Sequence, residues 1–268
     1  MQNKVTRGTG HGDPRGSDAE DFDLTLRIGV ERLHIRTRIP QADMSIPEFL
    51  PVIQSLTDAV VAAAARGVAR SRRRISCGPG CGACCRQLVP VAEAEAVHLA
   101  GVLAGLGADR RARVLERLRA ARERLTGSGL ATELHSAERG QSPMDRRELG
   151  LRYFRLGIPC PFLEDESCSI HPHRPLACRE YLVTSDPRHC AHPEKGRVET
   201  VELPRRPSAL LYRFGDGAGA APARWMALPL ALERAWGSGE RGEGEAFPAP
   251  ELFQRFVFRL AGADEDMG

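Results

Sequence analysis

At 268 residues and 29.3 kDa, the chain has room for one large domain or two small ones. Folding would bury roughly 70–75% of its unfolded surface, so a core needs no cross-links to form. A hydrophobic content of 42% with 27% charge excludes wholesale disorder. No uninterrupted run of 18 apolar residues offers a membrane span, and no fixed period marks a repeat array. The net charge of +3 and a pI near 8.5 point to no anionic partner by themselves. The densest basic run, Arg72 to Arg74, has no aromatic platform beside it and reads as a solvated helix end. Neither a membrane nor a nucleic acid is therefore an expected partner. The opening residues contain no apolar stretch of the secretory kind, so a cytoplasmic location is expected, where thiols stay reduced.

In chain order, residues 1–21 are rich in Gly and scattered acids and read as a disordered leader. From Phe22 the pattern alternates strictly. Phe22, Leu24, Leu26 and Ile28 share one face, and after a turn at Gly29–Arg32 come Leu33, Ile35 and Ile39. The spacing predicts a β-hairpin over 22–40, closed by Pro40. Phe49, Leu50, Ile53, Leu56, Val60 and Val61 fall at helical spacing, which predicts a helix from Ile46 to about Arg70 that starts at Ser45 and Pro47. Helical patterns follow at about 91–106 and 109–125, then a polar, loop-like stretch at 126–143 and a short helix at 145–156. Beyond residue 190 the sequence predicts a strand at Val198–Leu203. Helices are expected near Pro207–Phe214, Ala223–Trp236 and Pro250–Leu260, with Gly-rich surface connections at 215–220 and 237–244. The fold class expected is mainly α with a small N-terminal β-hairpin (α+β). It is read as a single domain over 22–261, with a core at 77–190, a C-terminal extension at 198–261 and a tail at 262–268.

Eight cysteines stand out. Cys77, Cys81, Cys84 and Cys85 form a tight group in which Gly78, Gly80 and Gly82 allow close turns. Cys160, Cys168, Cys178 and Cys190 form a looser one, separated from the first by residues 86–159. In a reducing compartment such a pattern reads as soft metal ligation before it reads as disulfides. Tetrahedral zinc needs four donors at about 2.3 Å. Two quartets thus permit one shared centre with spare thiols, or two centres bridged across the groups. Adjacent cysteines point in different directions, so Cys84 and Cys85 are candidates for different ions. All eight are candidate ligands for a zinc or iron ion or an iron–sulfur cluster, and the fold is expected to be organised around that centre.

The run Cys77-x3-Cys81-Gly-Ala-Cys84-Cys85-Arg86, with Cys160-Pro-Phe-Leu, Cys168-x-Ile and Arg174-Pro-x-x-Cys178-Arg-x-Tyr181, resembles the YkgJ-type cysteine-cluster family. The shared region of that family, with its CxxCxxCC-like motif, is described as zinc- or iron-chelating. The resemblance spans about 77–190 and implies metal binding through the cysteines in a mostly bacterial family. Some relatives methylate flagellin lysines, which implies a protein substrate as partner and a lysine-methyltransferase-like enzyme as an alternative to a redox or purely metal-binding role. A non-enzymatic, zinc-stabilised interaction module is a third reading. His171 stands where the family pattern leads one to expect tyrosine.

His171, His173, His189 and His192 crowd the second group as candidate ligands, ligand-orienting groups or exposed loop residues. Arg174 and Pro175 are read as starting a short helix that carries Cys178 on its first turn. Arg179 either offsets thiolate charge or pairs with Glu164, Asp165 or Glu166. Tyr181 reads as a packing residue with a bonded hydroxyl. No phosphate loop, dinucleotide fingerprint or His-Glu-x-x-His helix is present. The Cys-x3-Cys-x2-Cys spacing of radical-SAM enzymes is matched by Cys77, Cys81 and Cys84. A preceding helix and the lack of repeated βα units set that reading aside.

Overall fold

The computed structural model describes residues 4–7, 19–28, 31–78, 80–214, 223–237 and 245–262. The chain is mainly helical, with a small antiparallel sheet at its N-terminal end. Strands β1 (Lys4–Arg7), β2 (Ala19–Ile28) and β3 (Glu31–Pro40) form that sheet in the order β1-β2-β3, with Lys4 opposite Thr25 and Phe22 opposite Thr37. The expected hairpin is present and is larger than its pattern indicated. Residues 4–7, read as part of a disordered leader, pair with β2, and β2 itself begins at Ala19. A polar edge strand carries little hydrophobic alternation, so the sequence does not advertise it. The remaining leader residues, the Gly29–Val30 turn, most of both Gly-rich connections and tail residues 263–268 lie outside the described residues.

After the two-residue strand β4 (Asp43–Met44), helix α1 (Ile46–Arg70) starts where Ser45 and Pro47 predicted. The Glu48 carboxylate accepts both the backbone N–H and the hydroxyl of Ser45, at 2.8 and 2.7 Å, which closes the first turn. By length and mean hydropathy α1 would be capable of crossing a membrane, a property that the count of consecutive apolar residues missed. Half of that window is buried inside the fold, as in the core helix of a soluble protein. Strand β5 (Pro90–Val91) leads into α2 (Glu93–Ala104), then α3 (Ala108–Gly127), α4 (Leu130–Glu138) and α5 (Arg146–Arg155). Helix α4 corrects the loop expected at 126–143. Gly129, in the left-handed conformation at φ 74°, breaks the chain away from α3, and Leu130 and Leu134, one turn apart, are buried.

Further on come the hairpin β6 (Leu163–Glu164) and β7 (Ser167–Cys168), then α6 (Leu176–Glu180) and α7 (Pro207–Leu211). The chain closes with β8 (Met226–Ala227), α8 (Leu228–Gly237), β9 (Phe247–Pro248) and α9 (Ala249–Ala261). The strand expected at Val198–Leu203 is reduced to a single bridge, Val183 to Thr200, flanked by Thr184 N–H to Glu199 O and Val201 N–H to Leu182 O. Among the described residues the backbone facing it is the three-residue stretch 182–184, too short to propagate a ladder.

Two apolar clusters form the core. In the larger, Leu24, Leu26, Leu33 and Ile35 of the sheet meet Phe49, Leu50 and Ile53 of α1 and Leu252, Phe253 and Phe256 of α9. The rings of Phe22 and Phe253 lie 4.6 Å apart, centre to centre. The smaller gathers Leu99 and Leu103 of α2, Val114 and Leu118 of α3, Leu228 and Leu232 of α8, and Phe162. Cys160 and Cys168 pack against this second cluster. Apolar packing of these two clusters organises the core of the described residues.

Candidate metal centre

The first cysteine group lies on the segment that leaves α1. Ser76 ties this segment to the far side of the domain, its N–H donating to Val183 O at 3.0 Å and its hydroxyl to Val183 O and Ser185 O. Arg73 adds bonds to Thr184 and Glu199. The N–H of Val183 points back at the Cys77 sulfur at 3.3 Å. Cys81 N–H bonds Gly78 O at 3.2 Å, with Gly80 at a positive φ of 77° inside the turn. Cys84 and Cys85 sit on a 3₁₀ turn, Ala83–Arg86.

The two groups are joined directly: Cys160 N–H donates to Cys85 O at 2.6 Å. Gly82 is the second point of contact. A Cβ there would fall 2.7 Å from Glu166 Oε2, 2.8 Å from Leu163 Cδ1 and 3.0 Å from the Glu166 backbone. Only glycine lets the β6–β7 hairpin lie this close over the first loop. Within that hairpin Asp165 and Glu166 both have positive φ, and Cys168 pairs opposite Leu163.

Cys178 rides on α6, a five-residue helix pinned from three sides. The buried Glu95 of α2 accepts the Leu176 N–H at 2.7 Å and the Ala92 N–H at 2.8 Å. Glu180 accepts both the N–H and the hydroxyl of Ser208. Arg179 pairs with Asp58 of α1 at 2.7 Å and donates to the carbonyls of Arg174 and Pro172. This corrects the ion pair expected with Glu164, Asp165 or Glu166: the carboxylate partner of Arg179 is Asp58, and Arg86 pairs with Glu166. Cys190, the most buried cysteine, lies on a 3₁₀ turn, Pro187–Ala191, which packs against the Ala83–Arg86 turn.

All eight cysteines are free thiols. Cys77 and Cys85 of the first group, and all four of the second, are close enough to feel charge on Cys84, which itself hydrogen-bonds Cys85, and Cys81 is felt by Cys77 and Cys190. Among the described residues, however, no three His, Cys, Asp or Glu side chains are drawn into a metal-holding arrangement. Protonated thiols have no attraction that would close such a cage. Burial, joined by the proximity of other sulfurs, raises Cys77, Cys168 and Cys178, and pushes Cys160 to about 12 and Cys190 to about 11. The adjacent pair behaves oppositely. The Cys85 thiol hydrogen-bonds Cys84, lowering Cys84 to about 7 and holding the Cys85 proton in place. Arg174 is the cation that favours thiolate at Cys77, Cys84 and Cys168, and Arg117 does so at Cys160. The Arg174 Nε is buried and has no acceptor among the described residues. The donor chemistry therefore fits a soft cation, which would supply the positive charge that this concentration of sulfur lacks.

His171, His173 and His192 are exposed. His189 Nδ1 lies 3.1 Å from Arg197 O, and His192 Nδ1 lies 3.5 Å from Glu194. His173 faces His98, a half-buried α2 residue whose Nε2 is without a partner among the described residues. The Tyr181 hydroxyl accepts from Gln87 Nε2 at 3.3 Å, in keeping with a packing residue that has its hydroxyl bonded. Sequence reasoning missed Glu95 and His98, and it read Gly82 only as a turn residue and Arg174 only as a helix start. Glu95 left a signal, since it occupies the same helical face as Leu99 and Leu103, where a carboxylate is out of place unless it has partners.

The eight cysteines thus lie on short turns, a two-residue strand, a five-residue helix and the loops between them. Residues 76–199 match the CxxCxxCC family, whose description proposes a zinc- or iron-chelating domain. The matched span contains all eight cysteines and agrees with the resemblance read from the motif order. No curated protein and no solved structure shows a significant match to the chain.

Proposed function

We propose that residues 76–199 bind zinc or iron through cysteine thiolates, with the eight thiols divided between two neighbouring donor sets. The observation that carries this reading is the gathering of free thiols from stretches of chain as distant as Cys77 and Cys190, with no disulfide among them. Charge coupling supports the division. Cys190 feels Cys77, Cys84 and Cys81, whereas Cys178 feels Cys160, Cys84 and Cys168, and Cys85 feels Cys160, Cys84 and Cys178, so that only Cys84 acts on both sides. One set is thus Cys77, Cys81, Cys84 and Cys190, and the other is Cys85, Cys160, Cys168 and Cys178. Cys84 and Cys85 then serve different centres, with Cys84 at the junction.

Four thiolates satisfy either a tetrahedral zinc ion or an iron–sulfur cluster. A bound metal would supply positive charge and, if it is iron, an electron-transfer centre. The protein's own contribution is to hold the donors: the Cys85–Cys160 backbone bond and the Gly82 contact keep the two groups in register, and Arg174 offsets thiolate charge. Binding would release protons from the thiols that burial keeps protonated. So many free thiols also suit a reducing compartment such as the cytoplasm.

Anaerobic purification followed by metal and labile-sulfide analysis tests this reading. We expect zinc or iron bound in near-integral amounts, with brown colour and sulfide if the centre is a cluster and a colourless protein if it is zinc. Metal-free protein that takes up neither ion, with eight titratable thiols, would contradict it.

A further inference from the structure

Beyond the cysteines, the segment that follows Cys190 folds into a small basic bowl. A cavity of about 210 Å³ is lined by Arg188, His189, His192, Lys195 and Arg197, with no carboxylate in its wall. This is smaller than the roughly 300 Å³ at which sites for whole organic cofactors begin, and it suits a compact headgroup.

The loop is folded rather than splayed. The 3₁₀ turn at Pro187–Ala191 runs into a second at Pro193–Lys195, and Gly196, at φ 64°, reverses the chain. His189 Nδ1 then bonds Arg197 O across the loop. In the neutral ring this requires the proton on Nδ1.

Two carboxylates lie near the bowl, and each is already engaged. Asp186 is held by Arg188 through contacts at 2.6 to 3.1 Å, and Glu194 faces His192 at 3.5 Å. The side chains of Lys195 and Arg197 have no hydrogen-bond or ion-pair partner among the described residues. Two exposed cations thereby leave the chain at one concavity, beside two imidazoles, from a backbone folded by its own turns. Gathering like charges is unfavourable unless an anion occupies the space between them.

We propose that this bowl is an oxyanion site, with Lys195 and Arg197 binding a phosphate group, free or carried on a small molecule. Arginine supplies a planar fork of donors and lysine a point charge, a pairing suited to phosphoryl oxygens. The site uses no cysteine and does not depend on the metal reading.

The test is a titration of the metal-replete full chain with inorganic phosphate and, separately, with adenosine monophosphate. It would be followed by calorimetry and by the amide signals of residues 187–197, at constant ionic strength set with sodium chloride. Saturable binding is expected, with shifts confined to that loop. The double variant Lys195→Gln, Arg197→Gln should weaken binding at least tenfold while its metal content and melting temperature stay unchanged. The preferred compound of the two identifies the source of the phosphate. The absence of saturable binding in the native protein, or equal affinity in the double variant, would overturn the proposal.

Discussion

The sheet with α1 and α9, and the segment from Cys160 to Ala191, are two parts of one molecule held by different physics. The first is continuous secondary structure whose inward side chains are almost entirely apolar. Phe49, Leu50, Ile53, Leu252, Phe253 and Phe256 are fully buried, and their burial is stabilising without any ligand. The second consists of two-residue strands, 3₁₀ turns and one five-residue helix, each too short to be stable alone. It is held in place by polar anchors: Glu95, Arg179 and Glu180 around α6, the Cys85–Cys160 backbone bond, and the closeness that Gly82 permits. A fold of this kind lets a metal-binding segment lose its ligand without dissolving its support.

The widest separation between the two parts should come from metal removal. Structural zinc sites contribute on the order of 10 kcal/mol to folding. Chelation should therefore make the amides of residues 160–191 exchange quickly while β2, β3, α1 and α9 stay protected, as hydrogen exchange with mass spectrometry would show. Uniform loss of protection would erase the distinction. Phe253→Ala probes the other side. It removes a ring that packs at a tilt against Phe22 and should cost about 3–5 kcal/mol in denaturant unfolding, with metal content per chain unchanged.

Gly82→Ala acts at the seam between the two cysteine groups. Its Cβ would force the β6–β7 hairpin outward, at about 1–3 kcal/mol, and should weaken metal retention in a competition with a chromogenic chelator. Glu95 adds a pH signature. Burial raises its carboxyl from the ordinary 4.5 to about 7, so the folded state binds its proton more tightly than the unfolded state does. Its contribution is present below pH 4.5 and is lost as pH rises through about 7. Glu95→Gln should flatten that part of the pH–stability profile measured on metal-free protein. The smallest effect is expected from Glu166→Gln, which breaks the exposed pair with Arg86 and should leave the melting temperature nearly unchanged.

The same contrast explains what the sequence could show. Strict alternation from Phe22 to Ile28, and the helical spacing of Phe49, Leu50, Ile53 and Leu56, each report a single dominant face, so the apolar body was legible. Strand Lys4–Arg7 and helix Leu130–Glu138 were not, because an edge strand and a helix with two buried leucines carry little periodic signal. The cysteines were legible as residues, and their spacing pointed to the metal-binding family. Their grouping was not legible, because the carbonyl of Cys85 meets the N–H of Cys160 only in the tertiary fold. Arg174 could not be told from Arg179 by position, although one lies by the thiols and the other is bound to Asp58.

The central claim is that sulfur from both groups surrounds the metal. X-ray absorption at the edge of the metal that copurifies reads the ligand atoms directly. The account predicts a first shell made mostly of sulfur, at about 2.3 Å for zinc, that loses sulfur in both the Cys84→Ser and the Cys178→Ser variants. A shell of nitrogen and oxygen, or one untouched by either substitution, would contradict it.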